Sequence, residues 1–108
     1  MKEILLSQIN ANFDYNDYAI LRFLFGNTKD TEIPVYFIEG KKYHWISYNY
    51  IIANLPLLQI KTRQGIRKRF IKYVEYGLIE YIYSHEIQQN SIFYLLTEKA
   101  KTVFSGGL

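Results

Sequence analysis

"IKTRQGIRKRFIKYVEYGLIEY", residues 60–81, decides how this chain is read. Between Lys61 and Lys72 it carries Lys61, Arg63, Arg67, Lys68, Arg69 and Lys72, with no acidic residue among them. Thr62 is a good N-cap, because its hydroxyl can accept a bond from a first-turn amide that has no partner inside the helix. From Arg63 to Tyr76, the residues Ile66, Phe70, Tyr73 and Val74 recur at i, i+4, i+7 and i+8, the spacing of a core-facing helical stripe. Gly77 suits the left-handed position that closes a helix, and strand-forming residues follow at once. At 100° per residue the apolar positions centre about 30° from Ile66. Gln64, Gly65, Lys68, Ile71, Lys72 and Glu75 then lie opposite, flanked by Arg67 and Arg69.

Upstream, Ser47 is the expected N-cap of a shorter helix, "YNYIIANL", with Tyr48, Ile51, Ile52 and Leu55 on one face. Pro56 ends it, since the residue before proline is pushed out of the helical region. "VYFIEGKKYHWIS" reads as two strands, Val35–Ile38 and Tyr43–Ile46, joined through Glu39-Gly40-Lys41-Lys42. Before them, Asp14 or Asn16 caps a helix with Tyr18, Leu21, Leu24 and Phe25 at helical spacing, stopping at Gly26-Asn27. Downstream, "LIEYIYS" and "SIFYLLT" are strands, with a polar connection from His85 to Asn90 between them. Thr97 and Glu98 open a last helix, "EKAKTVF". One domain over residues 1–104 is expected, with 105–108 a tail or linker remnant.

The order cap, short helix, turn, basic helix, glycine and hairpin in "WISYNYIIANLPLLQIKTRQGIRKRFIKYVEYGLIEY" resembles a winged helix-turn-helix. The resemblance covers roughly residues 43–97. It implies an α+β fold, with three to four helices as core and a β-hairpin wing. Within that superfamily, "WISY" leading into the first helix looks most like the N-terminal DNA-binding domains of phage and plasmid replication initiators. Gly65, Val74 and the long turn "PLLQIK" depart from that family's pattern. The resemblance implies sequence-specific binding of double-stranded DNA, with replication proteins as further partners. A small transcriptional regulator, or a winged helix used for protein–protein contact, is the alternative.

Charged helix faces are commonly just solvated. Here six cations are concentrated in one stretch, and the rest of the chain has seven basic residues against ten acidic ones. Only the stripe therefore points to an anionic partner. The expected DNA-binding residues are Lys61, Thr62, Arg63, Gln64, Arg67, Lys68, Arg69 and Lys72. Residues near the start of a recognition helix reach base edges, which favours Arg63, Gln64, Arg67 and Lys68. Arginine can grip guanine in a fork and glutamine can pair with adenine. Lys61, Arg69 and Lys72 read as phosphate contacts, which position without specifying sequence. Gly65 reads as room for close approach of the helix backbone to DNA.

The remaining composition excludes more than it suggests. There is no cysteine, hence no disulfide framework, thiolate zinc site or cysteine nucleophile. His44 and His85 are far apart, without carboxylates at ligand spacing, so no metal and no cofactor is expected. No phosphate-cradling glycine loop or catalytic constellation is present, and no enzyme is expected. "MKEILLSQIN" is not a signal peptide, and no apolar run approaches a membrane span. A cytoplasmic protein with no membrane partner follows as the expectation. Trp45 and the tyrosines at 36, 43, 48 and 50 are explained by a half-buried sheet more simply than by base stacking. The helix "YAILRFLF", together with the last helix and its Val103 and Phe104, is the expected surface of a homodimer, and Ile71, apolar on the outward face, suits a thymine methyl or another protein.

Overall fold

A computed structural model describes residues 12–83 and 91–107. The order is α1 (Tyr15–Asn27), β1 (Val35–Ile38), β2 (Lys41–Ser47), α2 (Tyr48–Asn54), α3 (Arg63–Glu75), β3 (Ile79–Tyr83), β4 (Ser91–Leu96) and α4 (Glu98–Gly107). The architecture is α+β, with four described helices and one antiparallel sheet of order β1-β2-β4-β3. No described helix is long and apolar enough to cross a membrane.

Local chemistry accounts for most boundaries. Asp14 caps α1 as half of a reciprocal box: its carboxylate accepts from the Asp17 N–H, and the Asp17 carboxylate accepts from the Asp14 N–H, each at 3.0 Å. Ser47 Oγ accepts from the Tyr50 N–H, and Thr62 Oγ1 from the Gly65 N–H, both at 3.0 Å. Gly77, at φ 73°, follows the last turn of α3. Its N–H reaches Val74 O, and the Leu78 N–H reaches Tyr73 O, both at 2.9 Å. This pair of bonds satisfies carbonyls the helix leaves open and turns the chain directly into β3. The first hairpin is tighter than its sequence suggests. Ile38 pairs with Lys41, so only Glu39 and Gly40 form the turn, and both have positive φ.

The two hairpins become one sheet because β2 pairs with β4, Trp45 opposite Phe93 and Ile46 opposite Ile92. Cross-strand partners share a face, which puts Ile46, Ile92, Tyr94, Leu96 and Ile79 together against the helices. Ile20, Leu21 and Leu24 of α1, Ile51 of α2, and Ile66, Phe70 and Tyr73 of α3 complete that core. Two polar links fix its geometry. The Tyr94 hydroxyl donates to Leu24 O at 2.7 Å and accepts from Asn27 Nδ2 at 3.0 Å. Asn16 Oδ1 accepts from the Gln59 N–H at 3.2 Å, holding the α2–α3 turn against α1.

Three expectations need correction. Val74, expected in the core, is exposed, because the buried face of α3 is rotated toward Arg69 and Lys72. Tyr18, expected on the packed face of α1, is exposed, whereas Asp17 and Ile20 on neighbouring positions are fully buried. The last helix runs on through residues 105–107 instead of ending at Phe104. The connection from His85 to Asn90 lies outside the described residues.

Candidate nucleic-acid interface

α3 is held by its inner face and displays its outer one. Ile66, Phe70 and Tyr73 are buried, while Arg63, Gln64, Arg67 and Lys68 are exposed along its first two turns. Arg63, Gln64 and Arg67 line a shallow cleft of about 160 Å³ against Tyr48 at the start of α2. The long turn between the helices is anchored by the buried Leu58, whose N–H bonds Leu55 O at 3.0 Å. Leu57 stands out from it at 78% exposure. Lys61 is exposed and donates to Pro56 O at 3.0 Å. Thr62 is occupied as the cap of α3. Ile71 continues the outer face at 41% exposure, and Glu75 closes it at the far end.

Arg69 and Lys72 stand apart from that face. Lys72 Nζ lies 2.7 Å from Asp17 Oδ2, and Arg69 Nη1 lies 2.9 Å from Asp14 Oδ1 and 3.0 Å from Asp17 Oδ1. The Tyr73 hydroxyl also donates to Asp17 Oδ1, at 2.7 Å. Lys72 further sits 4.5 Å from the centre of the Phe13 ring. The helical wheel sets Lys72 opposite the core, yet its charge is turned inward to the capping carboxylates of α1. The reason is electrostatic: Asp17 is fully buried, and a buried carboxylate needs cations and hydrogen bonds in place of water. Partial burial works to raise the Asp14 pKa, but the Arg69 hydrogen bond, the Asp17 N–H and the Arg69 charge outweigh it and hold it below its ordinary value. Burial raises the Tyr73 pKa, and its bond to the Asp17 carboxylate adds to the shift.

Asp14, Asp17 and Tyr73 are thus the partners that the sequence reading missed. The signal was present: Asp17 lies three, four and seven residues before Ile20, Leu21 and Leu24, on the face that must be buried. Gly65 also differs from expectation. A Cβ there would lie 2.5 Å from Ile60 Cγ2 and 3.1 Å from Thr62 Oγ1. The missing side chain makes room for the protein's own α2–α3 turn. Among the described residues no group of three or more histidine, aspartate or glutamate side chains could hold a metal. No family model matches the chain, and neither does any curated protein or solved structure.

Proposed function

We propose that this chain is a winged helix-turn-helix domain that binds double-stranded DNA sequence-specifically through α3. One observation carries the reading: a helix anchored by Ile66, Phe70 and Tyr73 displays Arg63, Gln64, Arg67 and Lys68 together, with no carboxylate among them. Such a face suits the major groove, with the arginines and Gln64 near base edges and Lys68 near phosphate. The order α1, β2, α2, α3, β3, β4, with β2 paired to β4, supports the winged-helix assignment. Here β1 adds an outer strand and β3–β4 stands as the wing. The setting we favour is initiation of phage or plasmid replication, on the strength of the "WISY" lead-in at residues 45–48. Replication proteins would then be the further partners.

Selection from a random duplex pool, followed by fluorescence anisotropy on the enriched site, tests this. Wild type is expected to prefer the enriched site over scrambled duplex. Arg67→Ala/Lys68→Ala is expected to lose about tenfold or more in affinity, since two charge-assisted contacts disappear. Equal affinity for every duplex would remove sequence specificity. No binding even at low salt would turn the face over to an acidic protein partner.

A further inference from the structure

A larger cavity, about 620 Å³, lies away from α3, where the end of the sheet overhangs α1 and α4. That volume is in the range that small-molecule sites occupy. His44, Lys42 and Lys41 of β2, Phe25 of α1, and Leu96 and Lys101 are among its lining residues. His44 is 8% exposed, and its Nδ1 has no hydrogen-bond partner among the described residues. Nδ1 itself is closed off from solvent, so His44 lines the cavity with the rest of its ring. His44 is also held apart from the core network: Tyr94, its cross-strand partner, spends its hydroxyl on Leu24 and Asn27.

The charge around His44 identifies the kind of ligand. Three ammonium groups, Lys41, Lys42 and Lys101, face two carboxylates, Glu80 and Glu98. Lys41 pairs with Glu80 at 3.2 Å. Lys101 is only loosely paired with Glu98, at 3.5 Å with both side chains exposed. Lys42 has no ion-pair partner among the described residues and is one charge in excess. The first turn of α4 opens on the same space, since Thr97 and Glu98 also line it. Thr97 Oγ1 takes the Ala100 N–H at 3.2 Å. The remaining first-turn amides favour negative charge. With two of the three ammonium groups paired to carboxylates, the cavity keeps the one excess positive charge of Lys42, which favours an anion over a cation.

We propose that this cavity binds a small organic anion, its negative group held between Lys42, Lys101 and the His44 imidazole and its apolar body against Phe25 and Leu96. A neutral imidazole presents one N–H donor and one acceptor, so it can hydrogen-bond a carboxylate or a phosphate without a desolvated like charge beside the lysines. Burial, followed by the charges of Lys42 and Lys101, lowers the His44 pKa, which fits a neutral ring beside the lysines. The site is independent of α3, and its occupancy does not depend on the DNA reading.

Titration of the full chain followed by NMR, with benzoate, phenyl phosphate and neutral benzamide as probes, tests this. One or both anionic probes are expected to shift the His44 ring, Lys42 and Lys101 resonances saturably. The tighter of the two identifies carboxylate or phosphate as the preferred group. Lys42→Ala/Lys101→Ala should weaken that binding about tenfold or more. Both lysines are exposed, so this variant keeps its fold, checked by retained amide dispersion. Amides of α3 report separately on any phosphate drawn to the basic helix. Benzamide binding as tightly as benzoate, unsaturable shifts at His44, or an unchanged double variant would each overturn the proposal.

Discussion

Gly65 occupies the third position of α3, where alanine would ordinarily be worth about 1 kcal/mol more. Its contacts reverse that preference. An alanine Cβ 2.5 Å from Ile60 Cγ2 must displace a β-branched side chain packed against the core, not the loose end of a long one. Gly65→Ala is therefore expected to lower stability by about 1–2 kcal/mol, as overpacking does. Urea denaturation measures it, and Ile60→Ala in the same chain should recover part of the loss through their coupling. His44 makes a second prediction. Its folded pKa lies below the ordinary 6.5, so under mildly acidic conditions the unfolded chain binds a proton that the folded one refuses. Stability is thus expected to fall as pH drops below 6.5, toward the lower folded value. Denaturation midpoints between about pH 7 and about pH 5 should show this slope in wild type and a flatter one in His44→Gln.

Among the elements, the contact between the start of α1 and the last turns of α3 is the most exacting. Asp17 is fully buried and meets Arg69, Lys72, the Tyr73 hydroxyl and the Asp14 N–H. Asp17→Asn would leave two half-buried cations to share Asp14. A loss of about 2–4 kcal/mol is expected, below the full cost of an orphaned buried charge because both cations keep some water. Chemical denaturation checks it, and Asp17→Asn/Lys72→Met should cost less than the two changes summed. Asp14 adds an acid dependence. Its depressed pKa stabilises the fold above the ordinary 3.8 and is lost as pH falls through the lower folded value. Elements of this kind were only half legible in the sequence. Asp14, Ser47, Thr62 and Gly77 could be read as caps because capping chemistry is decided within three or four residues. Val74 and Lys72 were misplaced because a helical wheel knows its own periodicity but not which neighbour packs on its flank. The Asp17 carboxylate, 55 residues away, drew Lys72 inward, and Val74 was left outside.

Over the whole molecule, non-local pairing was the least visible feature. Both hairpins follow from strand runs and turn residues, but the β2–β4 ladder that joins them spans α2 and α3 and has no local signature. That ladder and the buried Asp17 together determine which way α3 faces, and so how much of its charge remains to act at a distance. Of the six cations between Lys61 and Lys72, Arg69 and Lys72 are balanced by Asp14 and Asp17. Lys61, Arg63, Arg67 and Lys68 remain exposed. If each of these four releases a counterion from duplex DNA, the slope of log affinity against log salt is about −3.6, whereas six would give about −5.4. Anisotropy across a salt series is expected to return the shallower value. Lys68→Ala should reduce it by about one contact, and Lys72→Met should leave it unchanged while lowering stability. A slope near the steeper value would mean that Arg69 and Lys72 abandon Asp17 for phosphate. That exchange would leave a carboxylate buried without its cations, so DNA binding would then have to loosen α1 from α3, and amide exchange in the first turn of α1 would rise in the complex.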